Sequence, residues 1–457
     1  MIITTILASF ILPVVILFLS SRLRKSKVVA FLHPYANDGG GGERVLWFAI
    51  QAVQQLDPSL DIVIYSGRTS AETPEVILKN AKTKFGVELT SSPRFVFLRS
   101  RPLLEAKYYP FLTILLQSLG SIIVGLEALL KLSPAYLIDT MGYAFTYPLF
   151  KFFAGSKVAC YVHFPTITTD MINLVDNQIT SFNNRPIFAK SHALSRLKLI
   201  YYKIFAFLYK LVSNSSSAVM VNSSWTYSHV SKLWNRDNVL IVFPPCDTRA
   251  MNQLRLAPRD NLVIAVAQFR PEKNHELMLR SWKMMLEKYG GRFKKSHEGP
   301  KLELIGSVRP KDKPRVDSIK KMIVDLGLTE SVIVKENLTF VELLDRLQSA
   351  KGGLHTMSFE HFGISVVEYM ASGVIPIAHR SGGPLTDIVV PLQDGSKTGF
   401  LCSDEDEYAQ AIGNVLLEDW GMMSRIQVSA KAAVKRFSQE SFVHSFQSAL
   451  QTSEFFS

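Results

Sequence analysis

The sequence predicts an α/β protein with two doubly wound parallel sheets. Short apolar runs alternate with helix-length amphipathic segments along most of the 457 residues. That alternation is typical of a parallel sheet with helices on both faces. A stretch rich in proline and polar residues, 241–260, interrupts it once and predicts a linker. We therefore expect a first domain over 28–250 and a second over 257–436, with a final helix, 437–457, that could pack back on the first domain.

The predicted strands are short and apolar. In the first domain they are "VVAFLH", "DIVIYS", "RFVFLRS", "AYLIDT", "VACYVHF" and "SAVMVNS"; in the second they are "NLVIAVAQF", "KLELIGS", "SVIVKEN", "GGLHTM" and "VIPIAH". A helix is predicted at Glu43–Leu56, directly after the first strand. Ligands of such sheets bind beyond the carboxyl ends of the strands, so the residues that follow each apolar run are the candidates for function.

The N-terminal segment predicts a membrane anchor over residues 1–22. Residues 2–19 are almost continuously apolar, which is long enough to cross a bilayer core. Arg22, Arg24, Lys25 and Lys27 follow, and no charge precedes, so the positive-inside rule places the N-terminus in the lumen and the domains in the cytosol. A cleaved signal peptide is the alternative, but a basic n-region and a small-residue cleavage site are both lacking.

Charge and cysteine content restrict the partners and the compartment. The net charge of +12 favours an anionic partner, which could be nucleic acid, a membrane surface or a phosphorylated substrate. The three cysteines, Cys160, Cys246 and Cys402, form no CxxC pair. A disulfide framework or zinc site is therefore disfavoured, and a reducing compartment is favoured.

Two further apolar segments bear on membrane attachment. Residues 108–132 contain Gln117 and Glu127, so we expect a buried or interfacial helix rather than a second span. Residues 196–212 mix aromatic side chains with lysines, and 177–236 contain no acidic residue. A solvated basic face and an RNA-binding patch are alternatives, but the predicted anchor favours contact with a membrane surface and no nucleic-acid partner.

A run of four glycines follows the first strand. In "HPYANDGGGGERVLW", Gly39 to Gly42 precede the predicted helix, so the amides of Gly40 and Gly41 could approach a phosphate or a sugar. The run lacks the lysine of a Walker loop and the spacing of a dinucleotide fingerprint. A merely flexible loop is the alternative.

Two cations follow the first strand of the second domain. Arg270 and Lys273, in "AQFRPEKNHE", stand where a diphosphate would bind. Arginine grips oxygens with two donors and lysine supplies a point charge, so the pair could neutralise a diphosphate leaving group. The alternative is surface pairing with Glu272 and Glu276.

Two glutamates eight positions apart flank a predicted helix start. Glu360 follows the strand "GGLHTM", and Glu368 lies inside the helix. The amides of Phe362, Gly363 and Ile364 would face an anion at the helix N-terminus. A glycosidase carboxylate pair is the alternative, but a phosphate-binding helix start argues against it.

These motifs together resemble the retaining GT-B glycosyltransferases of family 4. The resemblance rests on Glu360-x7-Glu368 followed by "MASGVIPIAHRSGGP" and "TGFL", on "GGGGERV", and on Arg270 with Lys273. It implies two Rossmann-like domains that face a cleft. It also implies that Glu360 contacts the donor sugar, Glu368 the ribose, and Arg270 and Lys273 the diphosphate. His163 in "CYVHFP" is implied to lie near the reacting sugar as a catalytic residue, and residues 332–338 to lie near the base.

Within that family, "IDTMGYAFTYPLF" and "YVHFPTITTDM" resemble the mannosyltransferases of dolichol-linked oligosaccharide assembly. The resemblance implies GDP-mannose as donor, a dolichol-diphosphate trimannosyl-chitobiose as acceptor, the endoplasmic reticulum membrane as location, and other cytosolic-face mannosyltransferases as candidate partners. No Asp-x-Asp follows a predicted strand, so we expect no cofactor and no metal requirement. An inactive membrane scaffold and an enzyme with another nucleotide sugar remain alternatives.

Overall fold

The computed structural model describes residues 25–67, 73–168, 171, 175–176, 192–293 and 299–457. The predicted anchor, residues 1–22, lies outside the described residues, as do Arg185 and Lys190 of the stretch 177–236 that contains no acidic residue. The chain divides into two compact units. The first comprises the residues up to Asn222, with Thr226–Pro245 and Phe442–Ser457; the second comprises Ser223–Trp225 and Cys246–Ser441.

The first unit, as far as it is described, contains a parallel sheet of seven strands in the order β3-β2-β1-β4-β5-β6-β7. The strands are β1 (Lys25–Leu32), β2 (Asp61–Gly67), β3 (Arg94–Leu98), β4 (Pro134–Asp139), β5 (Lys157–Val162), β6 (Ala218–Val221) and β7 (Val239–Ile241). The helices that accompany it are α1 (Gly41–Leu56), α2 (Pro74–Phe85), α3 (Thr113–Lys131), α4 (Tyr147–Ala154), α5 (His192–Ser213) and α6 (Ser224–Trp234). Apolar clusters fill both faces of the sheet, as the near-continuous apolar runs predict.

The second unit repeats this plan with six parallel strands among its described residues, in the order β10-β9-β8-β11-β12-β13. The strands are β8 (Asp260–Val266), β9 (Lys301–Gly306), β10 (Val332–Glu336), β11 (Ala350–His355), β12 (Ile375–His379) and β13 (Phe400–Cys402). The helices of this unit are α7 (Arg249–Asn252), α8 (His275–Tyr289), α9 (Lys313–Asp325), α10 (Phe340–Ser349), α11 (Ile364–Ala371), α12 (Glu405–Leu417) and α13 (Trp420–Ala433). The last helix of the chain, α14 (Gln439–Thr452), follows them.

The prediction of two doubly wound parallel sheets is confirmed, and every predicted strand is present. Two strands were not predicted. β7 ends where the Pro-rich stretch begins, and β13 covers only three residues, the last two of "TGFL" and Cys402. Both are edge strands, and three residues are too few for a periodic pattern to stand out.

The last helix, α14, packs in the first unit. Phe442, Phe446 and Leu450 are buried in its core, and the Gln447 side chain donates to the Ala52 carbonyl of α1 at 3.0 Å. After α14, the Phe455 ring lies 5.4 Å from that of Tyr136 on β4. The chain therefore returns to the first sheet after it completes the second.

Helix α3 is the one described helix long and apolar enough, by length and composition, to cross a membrane. One of its faces packs on the core of the first unit through Val124, Ala128 and Leu129. Its Glu127 accepts the amides of Arg99 and Ser100, each at 2.8 Å. The helix thus serves as a structural element of the first unit.

The strand orders fix where each unit can bind a ligand. In each sheet the order reverses between the first strand of the unit and its fourth, at β1/β4 and at β8/β11. The connections leave toward opposite sides at such a point, so the loops after the two strands part and form a crevice. The candidate residues are therefore sought after β1, β4, β8 and β11.

Candidate active site

The crevice of the second unit brings together two predicted site residues. Lys273 lies in the loop after β8, and Glu360 in the loop after β11. The Lys273 ammonium donates to Oε2 of Glu360 at 2.6 Å. Their side chains are only 21% and 14% exposed, so this ion pair is well shielded from water. Glu276, the partner expected if Lys273 were a surface cation, instead binds Arg280 at 2.6 Å.

His355, the last residue of β11, completes this cluster. Its imidazole is buried, with Nε2 3.2 Å from Oε2 of Glu360. Burial acts to raise the pKa of Glu360, but the His355 ring and the Lys273 ammonium outweigh it and hold that pKa well below its usual range. The Glu360 carboxylate is therefore ionised at physiological pH.

The turn that carries Glu360 has a constrained backbone. Phe359 adopts a left-handed conformation, with φ of 55°, and its amide donates to Ser381 Oγ at 2.8 Å. The Gly383 amide donates to the Glu360 carbonyl, also at 2.8 Å. A Cβ on Gly382 would lie 2.2 Å from that carbonyl oxygen, so only glycine allows this approach. The "SGG" sequence thus fixes the position of Glu360.

Helix α11 begins where the sequence predicts. Gly363 caps it with φ of 116°, and Ile364 is its first residue. The Phe362 ring packs on Phe437 in the core, 5.3 Å between centroids. The predicted contact of the Phe362, Gly363 and Ile364 amides with an anion stays a prediction.

Glu368 lies one turn further along α11, half-buried, between the buried residues Val367 and Tyr369. The Val266 amide, at the end of β8, donates to the Tyr369 hydroxyl at 2.6 Å. A Cβ on Gly353 would lie 2.4 Å from the Tyr369 ring, so the glycine lets α11 pack directly on β11. The apolar surroundings of Glu368 therefore belong to a helix packed on the sheet; its contact with ribose stays a prediction.

Arg270 differs from Lys273 in its surroundings. Its side chain is 47% exposed and lies 3.9 Å from Glu272, the pairing expected of a surface cation. In residues 332–338, Lys335 lies 3.1 Å from Glu303, and Glu336 binds Lys320 at 2.7 Å. The predicted roles of Arg270 in diphosphate binding and of 332–338 in base binding stay predictions.

The glycine loop of the first unit is held by a buried glutamate. Glu43, in the first turn of α1, accepts the Gly40 amide at 2.5 Å and lies 3.4 Å from Nε2 of His33. His33 follows β1, and its Nδ1 lies 2.7 Å from the Thr140 hydroxyl after β4. Burial acts to raise the pKa of Glu43, but the His33 ring and the Gly40 amide lower it. The loop is thus tied to both strands of the crevice, in contrast to a merely flexible loop.

His163 follows β5 and shares the Thr140 contact. Its Nε2 lies 3.1 Å from the Thr140 carbonyl, which can only accept, so Nε2 carries a proton. Its ring packs against Tyr161, 5.0 Å between centroids. A Cβ on Gly42 would lie 3.8 Å from the same nitrogen, so His163 stands beside the glycine loop. The catalytic role of His163 stays a prediction, as does the role of Gly40 and Gly41 in donor binding.

Asp139, the last residue of β4, directly precedes Thr140, which contacts His33 and His163. It is fully buried, accepts the Met141 amide at 2.9 Å and receives the Tyr147 hydroxyl at 2.6 Å. Burial raises its pKa to about 6. Among the described residues no group of three or more His, Cys, Asp or Glu side chains is arranged to hold a metal ion.

The sequence analysis missed three residues of these crevices: His355, Glu43 and His33. His355 and His33 stand at or directly after strand ends, where ligand-facing residues are expected, so strand position alone could have indicated them. Glu43 follows its glycine, Gly40, by three residues, the spacing of a capping box.

Comparison with known proteins places both units in described families. Residues 26–234 match the family described as ALG11 mannosyltransferase N-terminus, and 247–433 match glycosyl transferases group 1. A Homo sapiens protein named GDP-Man:Man(3)GlcNAc(2)-PP-Dol alpha-1,2-mannosyltransferase is 46% identical over 439 residues, which cover 94% of this chain and 88% of the human protein. The chain belongs to the ALG11 mannosyltransferase family.

More distant members of this mannosyltransferase family match over similar lengths. The Dictyostelium discoideum protein of the same name is 41% identical, over 92% of this chain and 83% of its own. The Caenorhabditis elegans protein is 39% identical, over 92% and 90%.

Solved glycosyltransferase structures share the fold. Sucrose-phosphate synthase from Thermosynechococcus elongatus has a TM-score of 0.63 at 17% identity, covering 94% of this chain and 98% of its own. Anabaena HepE, solved with UDP-glucose, has a TM-score of 0.59 at 14% identity, covering 93% and 99%. At these identities the likeness supports the GT-B fold alone.

Proposed function

We propose that this protein transfers mannose from GDP-mannose, with retention, to a dolichol-diphosphate-linked trimannosyl-chitobiose. It adds the fourth and fifth mannoses through α-1,2 linkages, on the cytosolic face of the endoplasmic reticulum. The observation that carries the proposal is the sequence similarity to proteins that are named for this activity. The similarity to the human relative covers 94% of this chain. The Lys273–Glu360 pair in the crevice supplies chemistry suited to it.

The second unit holds the groups that a nucleotide-sugar donor needs. Lys273, with Arg270 from the same loop, neutralises the diphosphate as its bond to mannose breaks. Glu360, kept ionised in its shielded position, accepts hydroxyl hydrogen bonds from the sugar. The amides that open α11 face the phosphates, and Glu368 binds the ribose. No residue in this scheme needs a metal ion.

The acceptor is a membrane lipid, and the first unit has a surface that suits a membrane. Helix α5 has two apolar faces. Tyr202, Phe205 and Tyr209 are buried against the core. On the outer face, five large apolar residues are 49–66% exposed; they are Leu197, Ile200, Ile204, Phe207 and Leu211. We call these five residues the outer stripe.

Basic side chains accompany the outer stripe. Arg196, Lys198, Lys203 and Lys210 lie on α5, which has no acidic residue. Apolar residues beside lysines are typical of a helix that lies in the headgroup layer, where the cations meet lipid phosphates. We therefore propose that the outer stripe seats the first unit on the bilayer, beside its lipid-linked acceptor.

The transfer reaction tests the proposal. Purified full-length chain in lipid nanodiscs is incubated with the trimannosyl-chitobiose lipid and, separately, with GDP-mannose, UDP-N-acetylglucosamine or UDP-glucose. We expect two mannoses to be added from GDP-mannose, both removable by an α-1,2-mannosidase. Transfer from a UDP-sugar in place of GDP-mannose would identify a different donor. No transfer from any donor, with rescue of a null strain by Glu360→Ala, would identify a scaffold.

A fluorescent probe tests the outer stripe. The native cysteines are buried, so a dye can be attached to Ile204→Cys, or to Val341→Cys, an exposed apolar position of the second unit. In nanodiscs that contain nitroxide lipids, the dye at 204 should be quenched and the dye at 341 should not. Equal quenching at both positions would contradict the proposed seating.

A further inference from the structure

The Glu360 carboxylate has two nitrogen neighbours, the Lys273 ammonium and the His355 imidazole, and they are held very differently. Lys273 reaches it with a long flexible side chain, and its ammonium also donates to Met357 Sδ at 3.2 Å. Its backbone is fixed, because the Thr356 hydroxyl donates to the carbonyls of Lys273 and Asn274 at 2.9 and 3.1 Å. The ammonium can therefore swing while the loop stays in place.

His355, in contrast, cannot move far. The imidazole is 2% exposed, and the Tyr408 hydroxyl donates to the His355 carbonyl at 2.9 Å. Its Nδ1 lies 3.5 Å from Ser365 Oγ in the first turn of α11. Nε2 lies 3.2 Å from Oε2 of Glu360 but is not aligned for a hydrogen bond, and it has no other partner among the described residues.

We infer that His355 is a positioning residue that keeps the Glu360 carboxylate in place when Lys273 leaves it for the donor diphosphate. Lys273 and His355 contact the same oxygen, Oε2, so the departure of Lys273 leaves Nε2 as the neighbour that can donate to it. A buried carboxylate that lost its cation without a replacement would be strongly disfavoured. The imidazole thus lowers the free-energy cost of breaking the Lys273–Glu360 ion pair. It also fixes the direction in which Glu360 faces the sugar.

This inference rests on the proposed function, because the exchange needs a diphosphate ligand. GDP is the probe, since it carries the diphosphate but lacks the mannose that Glu360 would contact. Calorimetry on the purified full-length chain measures GDP affinity for wild type, His355→Leu, His355→Asn, His355→Gln, Glu360→Gln and the double variant His355→Leu/Glu360→Gln. Thermal melts identify any variant that fails to fold; His355→Asn, which is too short to reach Glu360, then replaces His355→Leu.

We expect His355→Leu and His355→Asn to weaken GDP binding roughly tenfold, the scale of a hydrogen bond to a charged group. His355→Gln, which can still present an N–H, should stay within about threefold of wild type. In the double variant the loss should vanish, so that it binds GDP as Glu360→Gln does, because no carboxylate then competes for Lys273. A purely structural role of His355 would weaken both backgrounds equally.

Wild-type affinity in His355→Leu, or equal losses in the presence and absence of Glu360, would overturn the inference and leave the proposed function standing. Failure of the wild-type chain to bind GDP would overturn both.

Discussion

Lys273 Nζ and Glu360 Oε2 lie 2.6 Å apart, although 87 residues separate them in the chain. The contact joins the loops after β8 and β11, the two strands at which the sheet order of the second unit reverses. The cation that we propose for the diphosphate and the carboxylate that we propose for the sugar thus meet at the point where this fold class binds nucleotides.

Gly382→Ala should disturb Glu360 directly. Gly382 has φ of 58°, and a Cβ there would lie 2.2 Å from the Glu360 carbonyl oxygen. Gly395, with φ of 81° and open space around it, provides a matched control. Each substitution should cost about 1–2 kcal/mol for the left-handed backbone, and Gly382→Ala should cost a further ~1–3 kcal/mol for the clash. Mannosyl transfer should fall sharply in Gly382→Ala alone, and comparable transfer in the two variants would contradict the account.

Asp139 should make the protein less stable as the pH rises. Burial raises its pKa to about 6 from a usual value near 3.8, so between these values the folded chain binds more protons than the unfolded chain, and stability falls with increasing pH. Each pKa unit corresponds to about 1.4 kcal/mol. Melting curves from pH 4 to 7 should therefore show that the melting temperature of Asp139→Asn rises relative to that of the wild type as the pH increases. Parallel curves would mean that Asp139 is not buried as described.

The cysteines should be unreactive in the folded protein. Cys160, Cys246 and Cys402 are buried and form no disulfide, and burial raises the thiol pKa values of Cys160 and Cys402 to about 12. Since the thiolate is the reactive form, a thiol reagent should label none of them in native protein and all three in denaturant. Rapid labelling of one thiol under native conditions would contradict its burial.

The sequence predicts the sheets better than the contacts within the site. Apolar runs such as "DIVIYS" are unambiguous because strands buried on both faces leave no polar alternation to confuse them. The position of Glu360 before a helix start was likewise predictable, because Gly363 and the strand before it are local signals. Its pairing with Lys273 was not, because it depends on the order of β8 and β11 in the sheet, which no local pattern encodes.

The role of His355 was hidden for a related reason. A histidine that ends an apolar run is as compatible with a packed core as with a functional site. Only the 3.2 Å distance between His355 Nε2 and Glu360 Oε2 favours the second interpretation. The outer stripe shows the opposite case. Its apolar residues and the basic residues beside them are visible in the sequence, but only the burial of Tyr202 and Phe205 shows which face of α5 is left exposed for the proposed membrane contact.

The most direct test of the account is mannosyl transfer by Glu360→Ala, with Glu272→Ala as its control. Glu272 is a nearby carboxylate whose side chain lies 3.9 Å from Arg270, whereas the Lys273 ammonium pairs with Glu360. We expect Glu360→Ala to lose transfer from GDP-mannose to the trimannosyl lipid by about a hundredfold or more, the scale of a lost transition-state contact, and Glu272→Ala to stay within about threefold of wild type. Wild-type transfer by Glu360→Ala would contradict the central claim that this carboxylate, held between Lys273 and His355, acts on the donor sugar.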